Sequence, residues 1–144
     1  MKSFLLFIAL ICAVTLSSSL TPSVTRAARA AKKQSAVMKF TQPVKLMGVT
    51  LRGEYLFVHD DLAMARGETC TFVYKGVSEV ADKLVVSFHC TPVERGMVVY
   101  FTVRTVLISP GLSELSEFQF GGSTESHLVP ANRDGMHVTI ASVN

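Results

Sequence analysis

Residues 69–90 read TCTFVYKGVSEVADKLVVSFHC, and this stretch decides the fold class. Cys70, Phe72 and Tyr74 alternate along one face of an extended run, and Leu84, Val86, Phe88 and Cys90 along one face of the next. Alternation with period two marks half-buried strands, because successive side chains point to opposite faces of a sheet. The polar link Gly76 to Asp82 predicts a hairpin turning near Val80, with Cys70 opposite Cys90 on the apolar face. A Cys70–Cys90 disulfide closing such a loop would stabilise the fold by roughly 3 kcal/mol.

The same signals continue on both sides. Upstream, Lys39 to Thr41 and Val44 to Leu51 read as strands interrupted by Pro43. Gly53 permits a turn before Glu54 to His59, and Asp60-Asp61 ends that run. Leu62 to Arg66 fits a short strand or one helical turn. Downstream, Met97 to Ser109 is the longest strand signal, with Val99, Phe101, Val103 and Leu107 inward. Ser113 to Phe120 fits a short helix or an irregular edge, Gly121 to Gly135 a polar loop, and His137 to Val143 a last strand. Seven or eight short strands without a long helix predict an all-β domain, a sandwich or partly open barrel of antiparallel strands.

The beginning of the chain reads differently. Lys2 precedes the unbroken apolar run Phe4 to Val14, which is too short to span a bilayer and has the form of a signal-peptide core. The expected organisation is a leader over 1–19, with cleavage as late as residue 30 also fitting, a flexible segment over 20–36 and a β domain over 37–144. Cys12 falls in the leader, leaving Cys70 and Cys90, a pair that an oxidising compartment favours as a disulfide. The formal charge of +3 belongs to the N-terminal segment, since from residue 31 onward acids and bases balance. No clustered basic face exists to meet phosphate, which argues against nucleic-acid binding.

Candidate chemistry is sparse. His59-Asp60-Asp61 is the most polar cluster, and His59, Asp60 and His89 are the candidate metal ligands, since imidazole and carboxylate can share a cation. The commoner role of such a cluster is a strand end followed by an Asp-initiated turn. Met38, Met47, Met64, Met97 and Met136 show no M-x-M or H-x-x-M spacing and suit core filling. Gly111-Leu112-Ser113-Glu114-Leu115 lacks the second glycine of a nucleophile elbow, and Gly121-Gly122-Ser123 lacks the Lys of a phosphate cradle.

Phe40, Pro43, Leu46, Gly48, Leu51, Gly53 and Tyr55 carry a rhythm in which a β segment ends in L-x-G-x-Y. It resembles the opening of small exported bacterial β-rich proteins of unassigned function, with Arg52 standing where those often carry Pro-Ala. The resemblance implies a β-rich exported fold and no reaction. The functional expectation is therefore an exported, periplasmic or extracellular, non-enzymatic binding or envelope-associated module. It would have a protein or envelope component as partner, no cofactor, and no membrane span after leader removal. The alternatives are a periplasmic copper- or zinc-handling protein and a small secreted hydrolase.

Overall fold

The computed structural model describes residues 32–131 of the 144-residue chain. The leader, residues 20–31 of the segment expected to be flexible, and the strand expected at His137 to Val143 lie outside the described residues; the rest of that segment is described, and Lys33 to Ala36 belong to β1, paired with the end of β2. The described chain forms β1 (Lys33–Leu46), β2 (Val49–Asp60), α1 (Asp61–Ala65), β3 (Thr71–Lys75), β4 (Leu84–Phe88), β5 (Thr91–Glu94), β6 (Thr102–Ser109), β7 (Leu112–Gln119) and β8 (Glu125–Leu128). Among the described residues no helix is long and apolar enough to cross a membrane.

The first hairpin turns at Met47-Gly48, where both residues have positive φ (49° and 86°). Two such residues let the turn follow the right-handed twist of its strands. Gly53, expected to turn the chain, instead lies within β2 opposite Phe40 with φ 95°. The β1–β2 register slips between Phe40 and Val44, and Pro43 falls in that gap, where its missing N–H leaves no ladder bond unmade.

The strands follow the order β4-β3-β2-β1-β7-β8-β5, with β6 also paired to β7. The sheet is mostly antiparallel, but β1 and β7 run parallel where Val44 meets Ser113. The architecture is thus a single curled half-barrel sheet, in line with the all-β expectation and its partly open barrel alternative, but mixed where purely antiparallel strands were expected. Its core gathers Phe40, Leu46, Leu51, Phe57, Val73, Val86, Phe88, Leu115, Phe118 and Phe120. Phe57 sits 5.3 Å from Phe101 and 5.8 Å from Phe118 between ring centroids, in tilted contacts that suit aromatic quadrupoles.

Three expectations change. Ser113 to Phe120, expected as a short helix or irregular edge, falls almost wholly in β7 (Leu112–Gln119), which touches β1, β6 and β8. Leu112, Leu115 and Phe118 have helical spacing, but pairing with three strands outweighs that local preference. The run from Met97 becomes a strand only at Thr102; Val98 N–H donates to the Ser123 carbonyl (3.4 Å), and the Val98 carbonyl accepts from Gly122 N–H (2.7 Å). Phe101 and Val103 pack against the core as expected, whereas Val99, before the strand begins, and Leu107, where Thr105 to Ser109 runs past the core, are exposed. The expected polar loop after Gly121 contains β8, whose buried residues Ser126 and His127 carry no apolar signal.

Candidate metal centre

The alternation that puts Tyr55 and Phe57 in the core carries one step further and buries His59 completely. His59 pairs with Thr71 at the start of β3, which sets Cys70 beside it. Thr71 pairs with Phe88 at the end of β4, so Cys90 follows within reach. This register lies one step from the expected one, yet the sulfurs still converge. His89-Cys90 links β4 to β5, the strands at opposite ends of the sheet order. That link brings Cys90 across to β8, which pairs with β5 and supplies His127.

Cys70, Cys90, His59 and His127 are all fully buried. Cys90 Sγ is 3.5 Å from His127 Nδ1, 3.7 Å from His59 Nδ1 and 3.3 Å from Cys70 Sγ. The donor atoms of His59, Cys90 and His127 all lie within 4.8 Å of one another. With metal–sulfur bonds of about 2.3 Å and metal–nitrogen bonds of about 2.0–2.1 Å, a tetrahedron separates sulfur from nitrogen by about 3.6 Å and two sulfurs by about 3.8 Å. The two sulfur–nitrogen distances of Cys90 fit directly, whereas Cys70 lies outside the 4.8 Å group and has to shift toward the imidazoles to complete a tetrahedron. His127 is held by stacking on Phe118, with centroids 5.0 Å apart.

The disulfide expected between Cys70 and Cys90 is not formed. Both cysteines are free, and their 3.3 Å separation exceeds the roughly 2.05 Å of a sulfur–sulfur bond. Hydrogen bonding from the Cys90 thiol, aided by His59 and the Cys90 backbone N–H, draws the Cys70 thiol well below its usual range against the opposing cost of burial. The neighbouring Cys70 sulfur and burial push the Cys90 thiol up. The pair thus favours one shared proton, with the negative charge on Cys70.

The outward nitrogens of both imidazoles face carboxylates. His59 Nε2 lies 3.2 Å from Asp61 Oδ1, and His127 Nε2 lies 3.9 Å from Glu125 Oε1. Asp61 is anchored through its other oxygen, which accepts from the Lys32 amide at 3.0 Å. A ligating histidine commonly turns its second nitrogen to a carboxylate, which fixes the ring and raises its basicity.

Of the residues the sequence nominated, His59 lies in the centre. Asp60 caps α1, its Oδ1 accepting from Leu62 and Ala63 amides at 2.9 and 3.2 Å. Exposed His89 has its Nδ1 2.7 Å from the Glu68 carbonyl and 3.8 Å from Cys70 Sγ, and it is not among the three residues whose donors converge. His127 and Glu125 went unnominated as ligands or their supports, Asp61 was named only within the polar cluster, and the cysteines were read as a staple. The separation of 37 positions from Cys90 to His127 leaves no spacing motif to find. No protein-family model, curated protein or solved structure matches this chain.

Proposed function

We propose that this chain is an exported binding protein for a borderline or soft transition-metal cation, Zn²⁺ in first place and Cu⁺ in second. The observation that carries this is the convergence of Cys90, His59 and His127 donors within 4.8 Å inside a fully buried site. Cys70 Sγ, 3.3 Å from Cys90 Sγ but outside that group of three, would supply the fourth donor by moving inward. Two sulfurs and two imidazoles in a tetrahedral arrangement suit zinc, and thiolates also suit Cu⁺. Among the four, the cysteines would bind as thiolates and the histidines through Nδ1. A structural cation here would join the ends of β2, β3, β4 and β8.

The test is native mass spectrometry of the reduced, full-length purified protein after addition of one equivalent of Zn²⁺ or Cu⁺. One tightly retained ion is expected. Uptake of neither ion by the reduced protein would refute the reading.

A second reading is favoured by the 3.3 Å sulfur separation. Export would carry the thiols to an oxidising compartment, where the Cys70–Cys90 disulfide becomes the staple of a metal-free binding module. A mass two hydrogens below that of the reduced chain, with no bound ion, is its signature.

A further inference from the structure

We infer that His59 Nε2, Asp61 and Glu125 form a second, outer cation site that loads the buried centre; this role rests on the metal reading above. One ligand atom from each of the three lies within 4.8 Å of the others. His59 is fully buried, and its Nε2 faces Asp61 Oδ1 at 3.2 Å without the alignment of a hydrogen bond. Neither atom has another hydrogen-bond partner, so two buried polar atoms point at a common space. A shared cation resolves that, since both present lone pairs to it.

A cavity of about 260 Å³ adjoins the two carboxylate residues, lined by Asp61 and Glu125 together with Lys32, Gln34, Ser123, Gly121 and Gly122, and His59 lies behind that lining. The inner donors have no exposure of their own, so an incoming ion needs a staging point. Carboxylates in a cleft concentrate cations there and raise association rates by about 10- to 1,000-fold. One imidazole with two carboxylates suits a hydrated divalent cation such as Zn²⁺. His59 belongs to both sets, with Nε2 outward and Nδ1 3.7 Å from Cys90 Sγ. A neutral ring offers one lone pair at a time, so occupancy is sequential and the reduced protein holds one ion, not two.

The experiment uses Co²⁺ as the probe, mixed rapidly with the reduced full-length protein. The wild type should show an early phase without sulfur-to-cobalt charge transfer, then a slower phase in which that band appears. Asp61→Asn combined with Glu125→Gln should lower the association rate at least tenfold. A change confined to the dissociation rate would mean that the carboxylates only orient the rings, and would overturn the proposal. A Cys70→Ser/Cys90→Ser variant, its fold checked by circular dichroism, should still bind Co²⁺ weakly without the sulfur band; no binding by this folded variant would also overturn it. Binding by that variant, with no sulfur band ever seen in the wild type, supports the outer site and refutes the inner centre, so the two failures are told apart.

Discussion

Cys90 Sγ lies 3.5 Å from His127 Nδ1, although one residue sits in a link between strands and the other in a four-residue strand 37 positions later. The pairing of β5 with β8 creates this contact, since Thr91 and Leu128, the neighbours of the two residues, are partners in the ladder. The site is therefore tied to the seam of the curled sheet.

Removing a ligand should separate the inner residues from their neighbours. His127→Ala is expected to weaken Zn²⁺ binding by more than about 100-fold, beyond the 10- to 100-fold loss typical of an outer-sphere partner. His89→Ala should leave affinity unchanged, because His89 is exposed and held by the Glu68 carbonyl. Competition against a chromogenic zinc chelator measures both.

Oxidation should compete with metal. A small-molecule disulfide accepts two electrons from the Cys70 and Cys90 thiolates, yielding a protein disulfide and two reduced thiols. The sulfurs must close from 3.3 Å to about 2.05 Å, which withdraws both from a cation. One zinc ion released per disulfide formed is expected, read by mass and chelator absorbance. Oxidised protein that keeps its zinc would contradict the shared use of the sulfurs.

Glu117 sets a pH dependence away from the centre. It accepts from Arg95 Nε at 3.0 Å and from Arg104 at 2.9 Å. The hydrogen bond from Arg95 comes first among the causes that hold its carboxyl below the usual range. A depressed folded value means that the stabilisation is present above the unfolded carboxyl value and is lost as pH falls through the folded one. Glu117→Gln should cost about 1–2 kcal/mol at neutral pH, the lower part of the charged hydrogen-bond range because both guanidinium groups are well solvated. Urea denaturation should show this deficit shrinking below about pH 4 as the wild-type carboxyl becomes protonated.

Gly121 is fixed by contact and not by torsion. A Cβ there would stand 2.7 Å from the Val99 carbonyl oxygen, on the loop beside the cavity. Gly121→Ala should destabilise by about 1–3 kcal/mol through forced displacement of that backbone. Gly96→Ala, with nothing within 4 Å, should stay within about 0.5 kcal/mol of wild type in the same thermal melt.

Strand alternation was legible wherever one face is apolar. The runs around Phe72 and Val86 became β3 and β4, and Glu54 to His59 became the second half of β2. β8 was not legible, because its buried side chains are Ser126 and His127. Nor was the central place of β7, whose Glu117 is buried only through two arginines brought from other segments. At the site, His59 was visible as part of a polar cluster at a strand end, but its neighbour Asp60 spends its carboxylate on the α1 cap.

By itself the sequence determined a β-rich domain, several of its strands and two cysteines close enough along a hairpin to meet. Those are local matters, set by side-chain period and turn chemistry. Only the tertiary structure decided that the cysteines meet two histidines. His59 and His127 lie on strands three places apart in the sheet order, about 14 Å in a flat sheet, yet their ring centroids are 4.1 Å apart. Curling of the sheet closes that distance, and it depends on long-range pairing that no local pattern encodes.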